Sequence, residues 1–227
     1  MPRATIATRR ARVLVLVDAT AAPRADDELR AYVDAVVSGL DADLIITCQG
    51  IDAERLKRLA PSATIEVGPP AIRYAALRML WREFQLPRIA RRHDVDAVHS
   101  PWPPVPLLLA RPRVVTVHER HVADRSVPTQ RRSPLWTLVL RATVRISDEI
   151  LVPRHEIAVA LEHATAFAAS EALVLPPPAN IEAFAAAHRV AYRSAAALVP
   201  SETGPISLPN AESTPHIVDG GESEAAH

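Results

Sequence analysis

Two short apolar runs that each close on a histidine constrain the fold of this chain more than any other feature. The first is DAVHS at residues 96–100, and the second is VVTVHE at residues 114–119. Short apolar runs of this kind are typical of strands that are buried on both faces of a parallel sheet. Ligands of open parallel sheets bind beyond the carboxyl ends of the strands, so we expect His99 and His118 to face one crevice.

The composition indicates a globular protein. The chain has 227 residues, of which 48% are hydrophobic, and no formal net charge at pH 7. That content suffices for one good core or two small ones. No apolar stretch reaches the roughly 20 residues of a membrane span, and no signal-peptide core precedes the first strand, so the expected compartment is the cytoplasm. The single cysteine, Cys48, excludes an internal disulfide, and its apolar neighbours predict a buried, inert thiol.

Apolar runs alternate with stretches of helical period over residues 11–184, which is the pattern of βα units around a parallel sheet. We therefore predict an α/β fold with a single Rossmann-like, doubly wound parallel sheet. Strands are predicted at residues 12–17, 44–47, 64–67, 97–99, 114–117, 149–152 and 173–175. Helices are predicted at residues 26–40, 52–59, 72–92 with a kink or break at Pro87, 105–110, 134–146, 155–164 and 181–197.

The C-terminal part differs in composition from the domain at residues 11–184. Residues 185–199 are predicted to form a terminal helix or a linker. Residues 200–227 contain five acidic side chains and no Lys or Arg, and they are rich in Ser, Pro, Gly and Glu. Such a composition buries too little apolar surface to offset the entropy of ordering. We therefore predict a disordered acidic tail at 200–227.

Several segments in a fixed order resemble the N-terminal half of family 4 glycosyltransferases, which have the two-domain GT-B fold. They are the first strand and helix, HDVDAVHS at 93–100, RPRVVTVHE at 111–119, RISDEILVPRHEIAVAL at 145–161 and LVLPPPANIEAF at 173–184. The corresponding family patterns are D-x-V-H, T-x-H-D, A-D-x-I-I-x-x-S and P-x-G-x-D-x-x-x-F. Such enzymes transfer a sugar from a nucleotide sugar to an acceptor, which the N-terminal domain mainly holds. The resemblance therefore implies a sugar acceptor as partner and a nucleotide sugar as co-substrate.

The resemblance also implies which residues act. His118 matches the histidine of T-x-H-D, which faces the transferred sugar, and an imidazole there can hydrogen-bond or orient sugar oxygens. Glu119 stands where the family has Asp, so the catalytic pair is His118 and Glu119. His99 and Ser100 would line the same crevice and bind substrate, or His99 would be a histidine at the edge of the core. No third ligand stands near them at a spacing that suits a metal, and no cofactor is expected.

Two arginines complete the predicted site. Arg154 replaces the Ser of A-D-x-I-I-x-x-S, and Arg120 opens an arginine-rich loop at 120–132 that could hold an acidic acceptor group. The alternative for that loop is a mobile surface segment.

Other positions depart from the family. The loop at 18–27 has no glycine where the family places a Gly-Gly pair, and Asp26 and Asp27 would repel a diphosphate. Nothing after about Phe184 resembles the donor domain, so we do not expect efficient transfer from this chain alone. Three readings remain open: an acceptor-binding half that needs a separate donor-domain protein or a homo-oligomer, a non-catalytic binding or interaction module, and a truncated, vestigial glycosyltransferase.

The segment at 72–92 interleaves six arginines with large apolar side chains. It could lie on an anionic membrane surface, consistent with a lipid-linked acceptor and a peripheral position at the inner membrane face. The alternative is an ordinary domain helix with a solvated arginine face. A nucleic-acid partner is not expected, because the body is only mildly basic and its aromatic residues are few.

Overall fold

A computed structural model describes residues 12–22, 27–40, 43–122 and 134–198, so the predicted tail at 200–227 lies outside the described residues. Seven strands of this part form one parallel sheet: β1 (Leu14–Asp18), β2 (Asp43–Cys48), β3 (Thr64–Val67), β4 (Ala97–Ser100), β5 (Arg113–Thr116), β6 (Glu149–Val152) and β7 (Leu173–Val174). Six α-helices flank it: α1 (Asp27–Gly39), α2 (Gly50–Leu59), α3 (Ala75–Arg92), α4 (Pro134–Ile146), α5 (His155–Thr165) and α6 (Ile181–Ala197). The predicted α/β fold is confirmed.

The strand order is β3-β2-β1-β4-β5-β6-β7, and every pair is parallel. The chain therefore moves from β1 toward one edge and then returns to the other side of β1. The reversal between β1 and β4 is the switch point at which open parallel sheets bind ligands. In the ladder across it, Val17 pairs with His99, and His99 in turn pairs with Val114 of β5.

The helices cover both faces of the sheet, as a doubly wound fold requires. Alternate strand residues point to opposite faces, so Val15 and Val17 pack in a cluster with α1, α2 and α6, whereas Leu16 packs with α3. On the second face, Val115 and Val152 pack in a further cluster with α4 and α5. Helix α6 spans the predicted domain end at 184 and contacts α1, β4, β5 and β6, so it belongs to the first layer. None of the helices in the described residues is both long and apolar enough to cross a membrane.

Two helix predictions are corrected. Helix α3 runs unbroken through Pro87, and it starts at Ala75 because residues Pro70–Arg73 form a separate 3-10 turn. The predicted helix at 105–110 does not form. Instead, side chains of other elements hold this segment: the Glu83 carboxylate of α3 accepts the backbone N–H groups of Leu107 and Leu108 at 3.0 and 2.8 Å, and Arg113 of β5 donates to the backbone carbonyl of Leu109.

Candidate functional site

The switch point between β1 and β4 holds a buried ion pair. Asp18 ends β1 and is 0% exposed, and its carboxylate contacts the Arg82 guanidinium of α3, which is 4% exposed. The second carboxylate oxygen of Asp18 accepts the backbone N–H and the hydroxyl of Thr20 at 3.1 and 2.7 Å. The chain's own charges therefore lie where a ligand would be expected, a feature that the sequence analysis missed. The available signal was an arginine at a position in phase with the buried stripe Leu86 and Ile89.

Ser100 belongs to this pair and not to an open surface. It ends β4, is 1% exposed, and its hydroxyl lies 3.4 Å from an Arg82 nitrogen. The same guanidinium group donates to the backbone carbonyl of Pro104 at 2.9 Å and lies 5.8 Å from the Trp102 ring. Arg82 thus connects the ends of two central strands to the segment that follows β4.

His99 lies in the interior with both ring nitrogens hydrogen-bonded. Its Nε2 atom is 2.9 Å from the Thr116 hydroxyl, and its Nδ1 atom is 2.7 Å from the hydroxyl of Tyr192 on α6. The side chain is 0% exposed. Burial lowers the pKa of His99 well below its ordinary value, and the nearby His188 and His118 add to that effect. Of the two alternatives for this residue, the geometry is that of a core histidine.

His118 follows β5 and is 3% exposed. Its ring meets the Tyr32 ring edge to face, with 4.8 Å between the centroids, and its backbone N–H donates to Nδ1 of His121 at 3.0 Å. The Tyr32 ring also lies 6.2 Å from the His99 ring. The two histidines of the sequence analysis therefore share a neighbour, Tyr32, on the α1 face of the sheet. A tyrosine in the apolar stripe of α1 was the signal, because a buried hydroxyl requires a partner.

Glu119 and Arg154 meet at the carboxyl edge. Their side chains form an ion pair across the ends of β5 and β6, and they are 67% and 56% exposed. Arg120 is the middle residue of the 3-10 turn Glu119–His121. The predicted site therefore divides into an exposed charged pair and two buried histidines. No group of three or more His, Cys, Asp or Glu side chains in the described ranges could hold a metal ion.

Comparisons with known proteins agree with this architecture. The sequence model of Glycosyltransferase Family 4 matches residues 38–183. A crystal structure of a glycosyltransferase from Rickettsia africae ESF-5 superimposes with a TM-score of 0.50 at 11% sequence identity, over 73% of this chain and 43% of that chain. This chain therefore spans less than half of that protein, and the likeness concerns the fold. The search of curated proteins finds no match. Because the family match covers more than half of the sequence, this chain belongs to Glycosyltransferase Family 4.

Proposed function

We propose that this chain is the acceptor-side domain of a glycosyltransferase that uses a nucleotide sugar. The observation that supports this most is the exposed ion pair between Glu119 and Arg154, which lies at the carboxyl edge of the sheet within the family match. Glu119 directly follows His118 in the sequence. Ligands of parallel sheets bind at this edge.

The exposed pair suits a polar acceptor. An arginine fork can bind a hydroxyl, carboxylate or phosphate oxygen, and a carboxylate can accept sugar hydroxyl protons. An acceptor at this edge would meet Glu119 and Arg154 first, with the more buried His118 imidazole behind them. Arg120 would add a second cation from the same turn. In this proposal His118 orients the reacting oxygens and Glu119 serves as its carboxylate partner, whereas His99 and Ser100 support the strand ends from within.

We further propose that the groups that bind the nucleotide sugar come from a second domain. The observation that supports this is that the charges at the β1 end are already paired with each other. Transfer requires donor and acceptor to be held together at reacting distance, which a single domain does poorly.

Titration calorimetry tests the proposal. Wild-type protein and His118→Ala are titrated with a panel of nucleotide sugars, free nucleotides and simple sugar acceptors. His163→Ala is the matched control, because His163 is an exposed histidine on α5. We expect an acceptor to bind at least tenfold more weakly to His118→Ala than to wild type and His163→Ala. Folded protein that binds none of these ligands would instead support a non-catalytic interaction module or a vestigial domain.

A specific observation favours a lipid-linked acceptor and a peripheral membrane position. Helix α3 leaves Leu77, Leu80 and Phe84 on one stripe with 45%, 57% and 45% exposure. Beside it, the Glu83 carboxylate binds the backbone of Leu107 and Leu108, whose side chains are 64% and 57% exposed. Exposed arginines flank this surface at positions 73, 88, 91 and 92. Apolar side chains with a cationic rim are typical of surfaces that bind anionic lipid.

Vesicle sedimentation tests the membrane position separately from sugar binding. We expect wild-type protein to bind vesicles that contain phosphatidylglycerol and to bind much less to pure phosphatidylcholine. Leu80→Glu should reduce the bound fraction severalfold. Val190→Glu is the matched control, because Val190 is 60% exposed on α6, across the sheet from α3. The proposal would be contradicted if both variants bound vesicles equally well, or if wild-type protein bound to neither vesicle type.

A further inference from the structure

Helix α6 is tied to the sheet by a chain of buried hydrogen bonds. From one end to the other, the chain joins Tyr192, His99, Thr116, Tyr32 and His188, with atom separations of 2.7, 2.9, 2.6 and 2.8 Å. It ends where Nδ1 of His188 lies 2.8 Å from the backbone carbonyl oxygen of Phe184. Members of the chain come from α1, β4, β5 and α6, and none exceeds 4% exposure.

The direction of every bond follows from this last contact. A carbonyl oxygen only accepts, so Nδ1 of His188 donates, and in a neutral ring its Nε2 accepts from the Tyr32 hydroxyl. Because the single Tyr32 proton is then used, the Thr116 hydroxyl must donate to Tyr32, and Nε2 of His99 must donate to Thr116.

The remaining nitrogen of His99, Nδ1, then accepts from the Tyr192 hydroxyl. All five bonds thus run from Tyr192 toward the Phe184 carbonyl, and every proton in the chain is assigned.

We propose that this one-way chain is a clasp that holds α6 on the sheet only while His99 and His188 are both neutral, and that acid releases it. A proton added to Nε2 of His188 would face the Tyr32 proton. Tyr32 would then have to turn toward Thr116, whose own proton already points back at it. One added proton therefore breaks a hydrogen bond or reverses the four bonds between His188 and Tyr192, while Nδ1 of His188 still donates to the Phe184 carbonyl.

The surroundings give an added charge no counter-ion. The titratable side chains that face the two imidazoles are Tyr32 from α1, Tyr192 from α6, and His118 beside β5. Phenol and imidazole side chains supply no negative charge in acid. No ion pair found among the described residues includes either His99 or His188. Burial accordingly lowers the pKa of His188 to about 4.

The sign of the pH effect follows from these directions. When α6 opens, His188 regains an ordinary pKa of about 6.5, so the open state binds more protons between roughly pH 6.5 and pH 4. The clasp is therefore fully effective above about pH 6.5 and weakens as the pH falls toward 4. Opening would also free the Tyr32 ring, which packs on His118, so the clasp would position that histidine. His188, Tyr192 and Tyr32 all lie outside the residues that the family match covers.

The tautomers provide the first test, in the intact wild-type chain. Long-range proton–nitrogen NMR correlations at pH 7.5 should show His188 in the Nδ1–H form and His99 in the Nε2–H form. The opposite tautomer at either histidine, or a charged ring, would overturn the assigned direction of the chain.

Hydrogen exchange over α6 provides the second test. After correction for intrinsic exchange, the opening constant should rise by up to about tenfold per pH unit from pH 6.5 to 5 in wild type. In His188→Gln the opening constant should rise about tenfold less per pH unit than in wild type. In His163→Gln it should rise as in wild type. A wild-type opening constant without pH dependence, or an unchanged dependence in His188→Gln, would overturn the clasp. Neither measurement involves a sugar ligand, so failure here is distinct from failure of the proposed function.

Discussion

The Arg82 guanidinium of α3 contacts the Asp18 carboxylate at the end of β1, and this ion pair closes the switch point of the sheet. A buried ion pair adds little folding stability compared with apolar side chains of similar size, because both charges lose their hydration. Removal of one partner is costly, however, since it leaves the other charge buried alone. The pair therefore fixes the position of α3 and the segment after β4 more than it adds net stability.

We expect Arg82→Met to lower the free energy of unfolding by about 3–5 kcal/mol, because Asp18 would remain buried without its cation. Urea denaturation monitored by circular dichroism measures this. Arg88→Met on the exposed side of α3 is the control and should change it by less than about 0.5 kcal/mol. Adding Asp18→Asn to Arg82→Met should recover part of the loss, and purely additive losses would argue against coupling of the two residues.

Thr116→Val removes the middle hydroxyl of the buried hydrogen-bond series and leaves Tyr32 and His99 each without one hydrogen-bond partner. An unsatisfied buried polar group costs about 1–3 kcal/mol, so for these two groups we expect a loss of about 2–6 kcal/mol in unfolding free energy. Tyr192→Phe removes a hydrogen-bond partner only from His99, so it should lower the unfolding free energy by about half as much. Thermal and urea unfolding measure both, with Thr64→Val on the exposed edge strand as control. Equal losses in all three variants would contradict the network.

Glu83→Ala removes the acceptor for the Leu107 and Leu108 N–H groups. Because both residues are exposed, water can replace the carboxylate, and global stability should fall by only about 1 kcal/mol. Amide exchange at these two positions should accelerate at least tenfold by NMR. Glu162→Ala, an exposed acidic residue of α5, should leave their exchange unchanged.

Glu119→Gln should change unfolding free energy by less than about 1 kcal/mol, because the Glu119 and Arg154 pair is largely exposed and screened by water and salt. If this pair instead binds the acceptor, the same substitution should weaken acceptor binding. Urea denaturation and calorimetry on one preparation separate the two effects. A loss of several kcal/mol would show that the pair is structural.

Cys48 should be unreactive in the folded protein. The thiol is buried, and burial together with the nearby Asp52 carboxylate raises its pKa to about 11. At pH 8 very little thiolate forms, and the reagent has no access. Titration with a thiol reagent should therefore give almost no reaction until urea unfolds the chain, after which one thiol should react. Rapid reaction of native protein would contradict the burial.

The fold and most of its helices and strands were predictable from the sequence, because hydrophobic periodicity and the residues that begin or end helices act locally. The strands at 64–67 and 149–152 and the helices at 134–146 and 181–197 have the predicted bounds. Family membership was predictable too, since it depends on the order of short segments. The parallel direction of the strands then placed the carboxyl ends of β1, β4 and β5 at one edge, and the reversal of strand order made β4 the neighbour of β1.

Partners that are distant in the sequence were decided by the tertiary structure alone. The apolar run at 105–110 had helical potential, but in the fold its backbone N–H groups at Leu107 and Leu108 are bound by the Glu83 carboxylate, 24 and 25 residues away in the sequence. Periodicity indicates that a side chain is buried but not what it meets. His99 therefore fitted a binding site or a core equally well until Tyr192, 93 residues away, supplied the hydroxyl that its ring required. Burying a polar atom demands a partner, and only the assembled fold brings that partner within hydrogen-bonding distance.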